Sequence, residues 1–295
     1  MKKLLVVGGA SYDSIIYIDD LPEGSGTFFS RDFNETVGST GVGKALNLGR
    51  LGFNTVFHAM IGKDIYGEKV KESFADKKID FIYDIDPKGT ERHTNIIDKD
   101  GSRISIYTSY ATFEPVIDYS KLEEKVKDSD YLILNIINYA RELIPVAKKY
   151  NKEIWCDIHD YDGENEYHQD FIESADYLFM SSDSLDNYKE FMGKMINKGK
   201  KLVVCTHGKD GATALTKDGE WIEVPIIADY EMLDSNGAGD SFFAGFLYGF
   251  SKGYCIERSL RIGTIVAGLC ITSYELAYEK LNEDLIEAEY DKYYG

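Results

Sequence analysis

Proline and cysteine are scarce in this chain, with five and four among 295 residues, and basic side chains are outnumbered by acidic ones, 33 to 51. Each shortage excludes something. Cys156, Cys205, Cys255 and Cys270 stand far apart with no C-x-x-C pair, so they point to small core residues, not a disulfide framework or thiolate metal site. A net charge of −18 disfavours a nucleic-acid partner. It also means that an anionic nucleotide would have to be held by local donors and a divalent metal. No apolar run approaches the roughly 18 residues that would indicate a membrane span. The first residues begin like an export signal, but their apolar part, Leu4 to Val7, is shorter than the roughly 7 residues such a segment needs. A buried first strand and a cytoplasmic protein are expected, with no membrane partner.

What the chain does have is the run Asp234-Ser235-Asn236-Gly237-Ala238-Gly239-Asp240, followed by residues 242–250 without a proline or a charge. Three small residues in a row let backbone N–H groups turn toward one point. The apolar run is a buried helix, so the turn is its N-terminus, where free N–H groups and the dipole favour an anion. Asp240 beside such a seat can take a proton from a hydroxyl while the amides hold a transferring phosphoryl group. The plainer alternative is an acid that only complements the helix dipole.

The run resembles the C-terminal signature of the ribokinase-like (PfkB) carbohydrate kinases, D-[TS]-x-G-A-G-D ahead of an apolar helix, and Asp234, Ser235, Gly237, Ala238, Gly239 and Asp240 match it. The resemblance implies a three-layer α/β/α doubly wound sheet with a small β-sheet lid. It also implies ATP as phosphoryl donor with Mg²⁺, Asp240 as catalytic base, and the amides of Gly237, Ala238, Gly239 and Asp240 as anion hole. It leaves K⁺ open, with Asp234 a candidate contributor.

Along the chain, residues 6–10 are expected as the first strand. Residues 14–18 and 27–33 follow as two strands without an intervening helix, an excursion from the main sheet. Asp13 at its root is either a turn cap or, by resemblance, a sugar-hydroxyl acceptor. The octet Gly38-Ser39-Thr40-Gly41-Val42-Gly43-Lys44-Ala45 nearly makes a P-loop, but Ala45 lacks the hydroxyl that Mg²⁺ needs. It matches the family segment G-G-x-G-x-N-x-A instead, which places Gly38, Ser39, Thr40, Gly43 and Lys44 at the substrate, with a helix over residues 45–51. Ser39 replaces a glycine there, and Gly43 stands where the family has a sugar-binding Asn. Asp64, in a G-x-D-x-x-G segment, is read as a helix cap.

Residues 94–98 and 104–108 flank an Asp-Gly hairpin signal. With the earlier pair they make a small sheet whose apolar residues Phe28, Phe29, Phe33, Ile104, Ile106 and Tyr107 need a cover. By resemblance this sheet is the lid over the sugar and a homodimer interface. The division expected is a kinase core of residues 1–10, 36–89 and 113–295, with a lid of 11–35 and 90–112.

From residue 120 strands and helices alternate, and the strands are continuous apolar runs, the mark of a sheet buried on both faces. Helices are expected over residues 139–150, 183–197 and 256–275, among others. The family motifs N-x-x-E and D-x-N-x-R are missing; Ser181-Ser182-Asp183-Ser184 and Asp157-Ile158-His159-Asp160-Tyr161 stand there. Asp157 and Asp183 remain candidates for ordering metal-bound water, while His159 and His168 are taken as loop or surface residues. Thr206-His207-Gly208-Lys209-Asp210-Gly211 is either a simple turn or, by resemblance, a nucleotide segment; Thr206, Gly208, Gly211, Asn236 and Ser273 are the nucleotide candidates. The expected activity is transfer of the γ-phosphoryl group to a hydroxymethyl group of a sugar or sugar-like substrate. Gly43 motivates a nucleoside kinase as the alternative, and the missing motifs a non-catalytic ligand-binding relative.

Overall fold

In the computed structural model, residues 2–75 and 78–295 are described; Met1, Asp76 and Lys77, which the expected core range includes, lie outside them. The first half runs β1 (Lys3–Val7), β2 (Ser11–Tyr17), β3 (Asp32–Gly38), α1 (Thr40–Arg50), β4 (Asn54–Ile61), α2 (Ile65–Phe74), β5 (Ile79–Ile85), β6 (Arg92–Ile97) and β7 (Arg103–Ser109). Next come α3 (Tyr119–Asp128), β8 (Tyr131–Leu134), α4 (Leu143–Lys149), β9 (Ile154–Asp157), α5 (Gln169–Ser174), β10 (Tyr177–Ser181) and α6 (Tyr188–Asn197). The chain finishes with β11 (Leu202–Thr206), β12 (Ala212–Thr216), β13 (Trp221–Val224), α7 (Ala238–Ser251), α8 (Ile256–Ile271) and α9 (Glu283–Tyr294).

The large sheet has the order β13-β12-β11-β10-β9-β8-β1-β4-β5. From β11 to β5 every neighbouring pair is parallel, and β12 and β13 add an antiparallel hairpin at one edge. β1, β8, β9, β10 and β11 are buried along nearly their whole length, as helices on both faces require. Chain order runs one way from β1 through β4 to β5 and the other way from β8 onward. The reversal between β1 and β8 opens the crevice beyond their carboxyl ends where doubly wound folds bind ligands. The small sheet, β3-β2-β6-β7, grows straight out of that crevice, because β2 follows β1 after only three residues. This is the ribokinase-like α/β architecture.

α7 is set by two kinds of packing. Its ridge Phe243, Phe246 and Phe250 lies on Trp155 of β9 at centroid distances of 6.3, 6.5 and 5.1 Å, and Trp155 stacks on Tyr177 of β10 at 4.0 Å. The contact with α8 is close because each helix presents a glycine to the other. A Cβ on Gly245 would lie 2.7 Å from Val266 Cγ2, and one on Gly263 would lie 2.9 Å from the Phe242 carbonyl oxygen.

The structure corrects several expected boundaries. The strand expected over 27–33 is β3, five residues later. Phe28 and Phe29 suit a strand by propensity, yet they are exposed, and the polar stretch 32–36 pairs with β2 because Gly38 must meet Ser11. α1 begins at Thr40, not residue 45. Its glycines serve close approach, not a loop: a Cβ on Gly41 would be 2.5 Å from the Gly9 carbonyl oxygen. The helix expected over 139–150 is a 3₁₀ turn followed by α4, and that over 183–197 starts only at Tyr188. The first strand ends at Val7, and β5 and α5 were not anticipated.

Candidate active site

The turn into α7 is where the sequence leads one to expect an anion seat. Gly237 adopts φ 81°, and a Cβ there would lie 2.8 Å from the Leu276 carbonyl oxygen, so only glycine fits. The Ala238 N–H is turned to the Ser235 carbonyl at 3.3 Å, and the Ser241 N–H to the Gly237 carbonyl at 2.9 Å. Among the described residues nothing accepts from the N–H groups of Gly237, Gly239 or Asp240. A Cβ on Gly239 would meet no atom within 4 Å. Three free donors at a helix N-terminus, with open space beside Gly239, fit a phosphate.

Asp240 is buried at this seat. The Lys44 Nζ, which has no exposed surface, donates to Asp240 Oδ1 at 2.5 Å and pairs with Asp157 Oδ2 at 3.1 Å; it also lies 5.3 Å from the Phe243 ring centre. Lys44, expected from the sequence at the substrate, is therefore locked between two carboxylates. Burial disfavours its charge, but Asp240 and Asp157 outweigh that and hold its pKa above the ordinary lysine value. Burial raises the Asp240 carboxyl above the usual range, and Lys44 only partly offsets it. Burial would raise Asp157 too, but His159, Lys44 and the His159 N–H bring it down to about 2.

Gly43 is explained by the same contact. A Cβ there would sit 2.4 Å from Asp240 Oδ2 and 2.9 Å from Asp240 Cβ. Asn47, one turn on, donates to the Gly43 carbonyl, Ser241 Oγ and the Leu276 carbonyl at 2.8, 3.0 and 3.2 Å, stitching α1 to α7.

Asp13 lies at the root of the small sheet, buried. It accepts from the His93 N–H at 3.0 Å, and the His93 ring nitrogens face Asp13 at 3.3 Å and Glu91 at 3.1 Å. Burial works against the imidazolium, but the two carboxylates prevail and push its pKa up to about 9. Gly38 has no room for a side chain because Asp13 Oδ2 would lie 1.9 Å from its Cβ. Ser39 takes φ 76°, and Thr40 Oγ1 donates to Asn135 Oδ1 at 3.3 Å while Asn135 Nδ2 donates to the Val7 carbonyl at 2.9 Å. His93, Asn135 and the Lys44–Asp157 pair escaped sequence reasoning because each contact joins residues that no local motif links.

The small sheet also reaches the signature turn. Tyr17 OH donates to Asp234 Oδ2 at 2.6 Å and the Asn236 N–H to Asp234 Oδ1 at 2.8 Å. Arg103 donates to Asn236 Oδ1 at 3.2 Å, and Ser235 Oγ to the Gly101 carbonyl at 3.2 Å. Burial raises the Asp234 carboxyl, with Tyr17 and the Asn236 N–H opposing. A cavity of about 240 Å³ opens along this seam between Tyr17, Lys99, Asp234 and Tyr274; Asp240, Lys44 and Asp13 do not line it.

The aspartates considered for metal, Asp157, Asp183 and Asp234, do not converge: among the described residues no three His, Cys, Asp or Glu side chains are placed to hold an ion. Asp157 is engaged by Lys44 and by the His159 N–H at 3.0 Å, and Asp183 is exposed. His159, expected to be a plain loop residue, takes φ 54° with Nδ1 3.4 Å from Asp157 and Nε2 buried with no partner among the described residues. Among the nucleotide candidates, Thr206 closes β11 and accepts the Ser182 N–H at 3.0 Å through its carbonyl. Gly208 takes φ 53° in open space, whereas Gly211 is required by the hairpin, its Cβ position lying 2.1 Å from the Val224 carbonyl oxygen. Ser273 Oγ accepts the Glu275 N–H at 3.2 Å just beyond α8.

The family model for pfkB carbohydrate kinases matches residues 1–282. The chain belongs to the pfkB family. As a pfkB kinase it is an ATP-dependent sugar phosphotransferase. It is similar to the acarbose 7(IV)-phosphotransferase of Actinoplanes sp., 28% identical over 91% of this chain and 92% of that one. It is also similar to the nucleoside kinase of Methanocaldococcus jannaschii, 23% identical over 92% and 91%. Among solved structures, a microbiome-derived acarbose kinase superposes with a TM-score of 0.87 at 27% identity, covering 98% of both chains.

Proposed function

We propose that this pfkB kinase transfers the γ-phosphoryl group of ATP to a hydroxymethyl group of a sugar or sugar-like oligosaccharide. Asp240 takes the proton from the attacking hydroxyl, and the Gly237, Gly239 and Asp240 N–H groups receive charge on the transferring group. The observation that carries this reading is a buried carboxylate, its pKa raised, directly beside three unpaired amides at a helix N-terminus. A base with a raised pKa accepts a proton better than an exposed aspartate does, and positioning supplies most of the catalysis in phosphoryl transfer. Asp13, oriented by His93, holds sugar hydroxyls, and Gly38, Ser39 and Thr40 form the wall beside it. The nucleotide lies along Thr206, Gly208, Asn236 and Ser273.

Mg²⁺ arriving with the nucleotide would supply neutralisation of phosphate charge. The lack of a carboxylate cage among the described residues suits an ion that keeps most of its waters. The small sheet, residues 11–35 and 90–112, acts as a lid that excludes water from the core. Its apolar outer residues make the contact of a cytoplasmic homodimer. Gly43 no longer favours a nucleoside, since the space of its missing side chain is filled by Asp240. The acarbose kinases among the relatives favour an oligosaccharide-like acceptor.

A screen of free sugars, oligosaccharides and nucleosides coupled to ADP release tests the reading. Turnover is expected with a saccharide, and Asp240→Ala should bind ATP normally yet lose about 10²–10⁴-fold in kcat. Near-normal turnover in that variant, or ADP release with no acceptor tried, refutes it.

A further inference from the structure

We propose that Lys44 is a positioning residue for phosphoryl transfer: anchored on Asp157, its ammonium holds Asp240 Oδ1 and leaves Oδ2 as the oxygen that receives the acceptor proton. The inference rests on the reading of Asp240 as base. α1 carries Lys44 inward one turn after Thr40, and its side chain ends with no exposed surface, reaching Asp240 at 2.5 Å, Asp157 at 3.1 Å and the face of Phe243 at 5.3 Å. A lysine is almost never buried this completely unless paired. Buried pairs seldom improve stability over an apolar side chain of the same shape, so folding alone does not account for it.

The groups facing Asp240 define what the cation does. Lys44 comes from α1, Asp157 and His159 from the end of β9 and the loop after it, and the Cys270 thiol from α8. Without Lys44, two carboxylates share one dry pocket, and in such pairs one takes up a proton. A protonated Asp240 cannot accept another. Oδ2, 2.4 Å from where a Cβ on Gly43 would lie, remains free of hydrogen bonds to protein among the described residues. In the step itself the acceptor oxygen forms the new bond to the γ-phosphorus, and the bond from that phosphorus to the bridging oxygen breaks. ADP leaves with the electron pair, the hydroxyl proton moves to Asp240 Oδ2, and Lys44 keeps its own proton.

The test compares wild type with Lys44→Met, Lys44→Gln and Lys44→Met/Asp157→Asn. Lys44→Met should lose at least about a hundredfold in kcat at pH 7 with the KM for ATP unchanged. The acid limb of kcat/KM should move up by about one pH unit or more. Asp157→Asn in the same chain should move it back, since the competing carboxylate is gone. A loss of equal size at every pH, or no recovery in the double variant, overturns the clamp. Should Lys44→Met fail to fold, ¹³C-carboxyl titration of Asp240 in Lys44→Gln against wild type decides. An upward displacement supports the clamp and an unchanged titration overturns it. Because that titration needs no substrate, it decides about Lys44 even if the enzyme turned over nothing in the acceptor screen.

Discussion

Asp240 and Gly43 share one volume, since the carboxylate occupies the place a β-carbon at position 43 would take. Restoring the Asn of the resembled motif there, Gly43→Asn, should therefore displace Asp240, the proposed base, and not add a sugar contact. The expected result is at least a tenfold loss of kcat, read by the ADP-coupled assay, with the thermal midpoint lowered by the overpacking. His93 gives a pH prediction of definite sign. Its pKa rises on folding from about 6.5 to about 9, so its stabilisation is complete below pH 6.5 and is lost as pH climbs through 9. At about 1.4 kcal/mol per pKa unit this amounts to roughly 3 kcal/mol. Calorimetry from pH 6 to 10 should show a fall in Tm that is shallower in His93→Gln.

At the scale of elements, α7 is placed by what it packs against: aromatic rings of β9 and β10 on one side, the glycine contact with α8 on the other. Gly245→Val should push α8 away, because its Cβ would meet Val266 Cγ2 at 2.7 Å and the Ile262 carbonyl oxygen at 2.9 Å. The expected cost is about 1–3 kcal/mol, measured by urea unfolding, with a smaller loss of kcat as the turn shifts. α7 was legible in the sequence because an uncharged run of nine residues following three small ones has few other homes. α1 was legible only in part. Glycines 41 and 43 look like loop residues until Gly9 and Asp240 are seen against them. β3 was misplaced because Phe28 and Phe29 carry strand propensity whereas Asn34 and Glu35 carry little. Propensity reflects packing against neighbours, which the sequence does not display.

For the whole molecule, the continuous apolar strands of the large sheet revealed the doubly wound architecture before any coordinates. The site was legible where its parts are adjacent in sequence, as in residues 234–240. It was opaque where they meet across long separations, as Lys44 does with Asp157 and Asp240. The exposed apolar residues Phe28 and Phe29 ahead of β3, with Phe33, Ile104 and Ile106 on the small sheet, belong to the same scale, because the proposed dimer would cover them. Phe29 is 88% exposed. Phe29→Asp should convert the proposed dimer to a monomer in sedimentation velocity while Tm at low protein concentration stays unchanged; a wild-type protein already monomeric at micromolar concentration would contradict the interface.

The seam where Tyr17, Gly101 and Arg103 touch Asp234, Ser235 and Asn236 ties the small sheet, the proposed saccharide lid, to the turn proposed to hold the phosphates. On the proposed reading, a saccharide that tightened this seam would raise the affinity for nucleotide, and by thermodynamic reciprocity the nucleotide would raise the affinity for saccharide by the same factor. Order of addition would then alter the path to the ternary complex but not its final free energy.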